Sequence, residues 1–320
     1  MLLATSAGDS APEVADVFSV DTYTGNGSTK TITNGVDLSS GNNLVWIIRR
    51  NGGTGHVLTD SVRGVTKSLA ADTNATEITS SIRVTSFNSN GFSLDRNGFV
   101  NSNGDPMVAW TFKGAQKFFD VVTYTGNGAN RTISHNLGAE PGFIAVKARD
   151  DSRHWSCYHP AVGNTKAIFW SITNTPTQAQ AYWNNTDPTD SVFTVGTDFD
   201  VNQNGTDYVA YLFAKSTDNL IKCDSYTGNG SSNGPTVNLG FRPQYIFIRR
   251  ANAAGEWNVL DTARGITNDG DDNRLLIESN VAEFGTGIIN LSSTGFQLKG
   301  TNSNYNLNGG TYLYVAIAEE

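Results

Sequence analysis

The chain has 320 residues, a formal charge of −8 and a pI near 5.0, a balance that offers no basic face for neutralising phosphates and so excludes nucleic acid as a partner. Its 2 cysteines, Cys157 and Cys223, follow no spacing pattern, which excludes a disulfide scaffold and a cysteine-based zinc site. No stretch approaches the roughly 18 apolar residues of a membrane span.

Met1-Leu2-Leu3-Ala4-Thr5-Ser6-Ala7 opens the chain without the basic residues and longer apolar run of an export signal. Residues 1–21 are expected to form an N-terminal arm on a chain made in the cytosol. Yet the remainder has the composition of an exterior protein, with 33 glycines and only 16% charged residues. Both features suit a virus particle, which is assembled in the host cytoplasm and released by lysis.

From residue 22 the chain repeats itself. Tyr-Thr-Gly-Asn-Gly begins at Tyr23, Tyr124 and Tyr226, a period of about 100 residues that marks tandem copies of one unit. The expected fold class is all-β: three tandem antiparallel β-sandwich-like domains over 22–119, 120–222 and 223–320, each large enough to bury its own core. An apolar run follows in each copy: Val45 to Ile48 before Arg49 and Arg50, Phe143 to Val146 before Lys147, and Tyr245 to Ile248 before Arg249 and Arg250. Runs this apolar, bounded by Gly, Pro and Asn, read as strands covered on both faces, with the paired arginines as their solvated ends.

His56, Trp155 and Trp257 share the next matched position. Asp60, His159 and Asp261 follow, and then Arg63, Val162 and Arg264, each before a glycine. The first and third copies therefore share Asp-x-x-Arg-Gly, while the middle copy has neither charge. Asp60 with Arg63 and Asp261 with Arg264 are expected to be structural ion pairs fixing a turn, with sugar recognition as the alternative. In the middle copy, Tyr182 and Trp183 stand among Gln, Asn, Thr and Asp and are expected to be exposed. Together with His154 and His159 they form the candidate ligand or interface site.

Asn-Gly turns precede the closing strands, which are read from Met107 to Phe112, Tyr208 to Phe213 and Tyr312 to Ala318. Asp200-x-Asn202-x-Asn204-Gly205 matches the opening of a calcium loop, but Tyr211 stands where a bidentate Glu is required. A hairpin turn is expected there and no metal site. The last closing strand alternates, so one face is expected to be buried and the other partly exposed. Gly-x-Ser-x-Gly, His-Glu-x-x-His and phosphate-loop patterns are missing, and the 4 histidines do not recur at matched positions. Neither an enzyme nor a cofactor is expected.

Tyr-Thr-Gly-Asn-Gly, Val237-Asn238-Leu239-Gly240-Phe241-Arg242-Pro243, Trp257 to Gly265, Gly295-Phe296-Gln297-Leu298 and Gly309 to Tyr314 carry a family resemblance. In these segments the chain resembles a repeat domain of structural proteins of tailed bacteriophages, notably marine and cyanobacterial ones. The resemblance implies a virion location and transfers no catalytic residues. The resulting expectation is a tail-fibre or tail-associated adhesin. It would contact other virion proteins of the tail or capsid, a host-surface glycan and further copies of the chain, gaining avidity from repetition. A capsid decoration protein and a carbohydrate-binding module are the alternatives.

Overall fold

The computed structural model describes residues 11–178, 180–266, 268 and 270–320, and they form an all-β protein of antiparallel sheets. The α-helical segments Val14–Val17, Gly98–Asn101, Gln180–Trp183 and Phe199–Asn202 are single turns.

One strand order recurs in each third of the chain. An opening strand pairs with the closing strand, which pairs with the central apolar strand, which pairs with the strand after it. In the first repeat these are Phe18–Thr24, Pro106–Phe112, Leu44–Arg49 and Val57–Asp60. The second uses Phe119–Thr125, Asp207–Ala214, Pro141–Ala148 and Ser156–Tyr158. The third uses Ile221–Thr227, Thr311–Ala318, Pro243–Arg250 and Asn258–Asp261. Each repeat adds a smaller sheet, such as Lys30–Ile32 with Gly91–Leu94 and Val84–Asn88 in the first. Registers match as well: Tyr23 faces Met107, Tyr124 faces Tyr208 and Tyr226 faces Tyr312. Trp110, Tyr211 and Val315 therefore stand at one equivalent position.

The apolar strands are covered on both faces, by two different partners. In the first repeat, Val45, Ile47, Met107 and Ala109 pack with Ile32, Phe92 and Leu94 of the smaller sheet. The alternate residues Leu44, Trp46, Ile48, Val108, Trp110 and Phe112 enter a core that continues through all three repeats. Ring centroids lie 5.5 Å apart for Phe112 and Phe213, 5.1 Å for Phe143 and Phe247, and 5.4 Å for Phe18 and Tyr245. The first repeat meets the second, the second the third, and the third the first, which closes a ring. The expectation that each copy buries its own core is corrected accordingly, because one face of each main sheet packs into a core shared with the other repeats.

Three further expectations change. Residues 1–10 of the proposed arm lie outside the described residues, and the boundary at 21 falls inside a strand. Phe18 pairs with Phe112 and packs on Tyr245, which draws the opening strand back to residue 18. Tyr312 to Ala318 is buried on both faces, not one, since the smaller sheet covers one side and the shared core the other. Arg249 is buried instead of solvated, with its guanidinium 5.1 Å from the Trp257 ring centroid.

Candidate functional site

The repeated Tyr-Thr-Gly-Asn-Gly segment is a latch. In the first repeat the buried Asn101 amide donates to Asn26 Oδ1, Ser28 O and Asp95 O, while Asn101 Oδ1 accepts from the Asn26 N–H at 2.9 Å. Asn202 with Asn127, and Asn306 with Asn229, repeat this arrangement. Tyr23, Tyr124 and Tyr226 donate their hydroxyls to the carbonyls of Val100, Val201 and Tyr305. Gly25 is required because a Cβ there would collide with the Ser102 carbonyl. The Asn-Gly segments expected as hairpin turns instead join a helical turn to the closing strand in the first two repeats. The calcium-like loop belongs to this latch: Asn202 is spent on it, and Asp200 accepts from the Tyr182 hydroxyl at 3.2 Å. Among the described residues, no group of three or more His, Cys, Asp or Glu could hold a metal ion.

The Asp-x-x-Arg-Gly pairs sit at the junctions between repeats. Arg63 Nε donates to Asp60 Oδ2 at 2.5 Å, and Arg264 Nε to Asp261 Oδ2 at 2.6 Å, with all four side chains fully buried. Each carboxylate also accepts from the neighbouring repeat, Asp60 from Tyr211 Oη and Asp261 from Trp110 Nε1, both at 2.9 Å. Glu77 then joins Arg63 to Arg149 of the second repeat, and Glu283 joins Arg264 to Arg50 of the first. Burial opposes the Arg63 charge, but Asp60, Tyr211 and Glu77 outweigh it and hold the pKa above its ordinary value. Burial likewise opposes the Glu77 carboxylate, and Arg149 and Arg63 reverse that.

The junction of the second and third repeats lacks this network as a set. His159 and Val162 replace the Asp and Arg, Val315 replaces the facing Trp110 or Tyr211, and Ala251 stands where Arg50 and Arg149 do. His159 is wholly buried, and burial lowers its pKa to about 3, partly offset by the Tyr314 backbone. It is therefore a neutral packing residue.

A second ring of contacts uses the position shared by His56, Trp155 and Trp257. Trp155 Nε1 donates to Ala70 O at 2.8 Å and Trp257 Nε1 to Phe169 O at 2.7 Å, each in the preceding repeat. His56 Nδ1 accepts from Trp46 Nε1, so its Nε2 carries the proton and donates to Leu276 O at 3.0 Å in the third repeat.

The four candidate ligand residues do not form a surface. Tyr182 and Trp183 are 6% and 1% exposed, which corrects the expectation of exposure. The turn Gln180–Trp183 tucks them inward, where Trp183 Nε1 donates to Lys166 O at 3.0 Å. His154 is half-buried against Ser171, and His159 is sealed in the junction.

What the sequence reading passed over is a cavity of about 240 Å³ beside His56, lined by Ala70, Asp72, Ile78, Arg83, Phe99 and Asn280 among others. The one signal for it was the histidine at a position where the other copies carry tryptophan.

Comparison with known proteins adds little about activity. No curated protein matches the chain. Among solved structures, the crystal structure of the STIV MCP aligns at 10% identity over 62% of this chain and 95% of that chain, with a TM-score of 0.19, too slight a likeness to carry an argument. No helix among the described residues is long and apolar enough to cross a membrane. A family model described as a domain of unknown function, DUF7483, matches residues 13–320, and the chain belongs to that family.

Proposed function

We propose that the chain is a structural component of a tailed-phage particle, a compact block that docks on other virion proteins and performs no catalysis. The observation that carries this reading is ring closure: every repeat touches both others, so the chain builds a block with approximate threefold character and not a rod. Such a block offers three related faces, which suits a seat where three like subunits meet. That favours a decoration protein on the capsid, stabilising the shell by binding only its assembled state. The sealed His159 and the consumed Asp-Arg pairs are packing groups, consistent with a building part.

The tail-associated adhesin is the second reading. It loses the Tyr182 and Trp183 surface on which glycan contact would have rested, and keeps the cavity beside His56 as its support. Immunogold labelling of intact particles, paired with heat inactivation of particles with and without the protein, tests the choice. Gold over the head with a loss of heat resistance supports decoration. Gold at the tail tip supports the adhesin, and unlabelled particles reject the virion reading.

A further inference from the structure

The cavity beside His56 exists because the first repeat departs from its siblings at several positions around one point. Strand register places His56 with Trp155 and Trp257, and Ala70 with Phe169 and Leu276, so two large side chains are replaced by smaller ones. Arg83 stands where the third repeat buries Ile288, and Phe99 stands where the others have Asp200 and Asn304. The first two changes open space, and the second two supply it with a cation and an aromatic face.

Arg83 is the unusual member. It is only 8% exposed, its Nη1 donates to Ser68 Oγ at 2.6 Å, and its Nε meets no acceptor among the described residues. No carboxylate forms an ion pair with it among the described residues. The junction arginines Arg63 and Arg264 each have one, and Arg249, which has none among the described residues, donates instead to the carbonyls of Arg250 and Asn174. A largely buried guanidinium with a single neutral acceptor is costly unless an anion is supplied. Phe99, with the Arg83 guanidinium 5.0 Å from its ring centroid, and Ile78 are 40% and 44% exposed, so the cavity reaches the surface through apolar walls. Asp72 and Asn280 add polar groups to the lining.

We propose that this cavity binds a sugar-sized ring bearing a carboxylate, with Arg83 pairing the carboxylate, Phe99 and Ile78 covering the ring and Asp72 and Asn280 meeting its hydroxyls. A planar guanidinium matches a carboxylate through two parallel hydrogen bonds. The volume lies below the roughly 300–1,000 Å³ of drug-sized pockets, which limits the occupant to about one ring. This site stands whether or not the chain belongs to a particle, because its test uses the isolated protein.

Calorimetric titration of the full chain with sodium glucuronate, and with glucose as the neutral match, decides it. The expected result is saturable glucuronate binding that is at least about tenfold tighter than glucose binding. Arg83→Gln, Phe99→Ala and His56→Trp, the last restoring the residue of the other repeats, should each weaken it by about tenfold or more. Phe99 is 40% exposed, so its variant is expected to keep the fold, which an unchanged melting temperature checks. Absent glucuronate binding, equal affinity for glucose, or undiminished binding by the Phe99 and His56 variants overturns the proposal.

Discussion

The Tyr211 hydroxyl of the second repeat donates to the Asp60 carboxylate of the first at 2.9 Å, in a junction where both side chains are fully buried. The same carboxylate holds Arg63, so one acceptor serves the turn of its own repeat and the seam with the next. Asp60→Ala leaves the Arg63 guanidinium buried with less compensation and should cost about 3–5 kcal/mol. The pair Asp60→His with Arg63→Val, copied from the second repeat, removes the charges together and should cost less than the single change. Urea unfolding of both variants checks the order, and a double variant less stable than Asp60→Ala contradicts it.

The latch yields a second prediction. Asn101→Ala strips three acceptors and one donor of their partner, so it should destabilise by at least about 1–3 kcal/mol. Asn202→Ala and Asn306→Ala should cost similar amounts, because the contacts are the same. Thermal melts of the three variants check this, and a neutral change at any of them would show that the latch there is redundant.

Stability should depend on pH through two buried groups of opposite sign. The folded chain holds His159 near pKa 3, against an ordinary 6.5, so between these values the unfolded state binds more protons and stability falls as pH is lowered. Burial raises Glu278 to about 7 from 4.5, so across that window the folded state holds the extra proton and stability falls as pH rises. His159→Gln should remove up to about 1.4 kcal/mol per pH unit of slope below pH 6.5, and Glu278→Gln a slope of opposite sign. Urea midpoints measured from pH 4 to 7 compare the three proteins, and parallel curves contradict the assignment.

Much of the architecture was legible in the chain. The period of Tyr-Thr-Gly-Asn-Gly and the apolar runs at Val45, Phe143 and Tyr245 located the repeats and their central strands. Ring closure was not legible, because a strand such as Leu44–Arg49 has the same pattern whether its second face is covered by its own repeat or by another. The partners of Asp60 and Asp261 lie about 150 residues away along the chain, far beyond the reach of periodicity. Tyr182 and Trp183 misled because their sequence neighbours are polar, whereas a single helical turn sets their direction. The loss of Asp and Arg from the middle copy goes with Val315 and Ala251, which by strand register stand where their partners would be, a match that spans about 100 residues of sequence.

A fourth prediction concerns independence. The third repeat alone, residues 221–320, would expose Tyr245, Phe247 and Val315, which the other repeats cover. Expressed by itself it should be unfolded or associate into larger species. A monomeric product with a cooperative melt would show that the shared core is dispensable.

Small-angle X-ray scattering of the monodisperse full chain tests ring closure most directly. Three repeats packed as one block predict a radius of gyration of about 20 Å, the value for a compact chain of this length. Three separate beads in a row would give about 30 Å, and that result would contradict the shared core and the block-like role drawn from it.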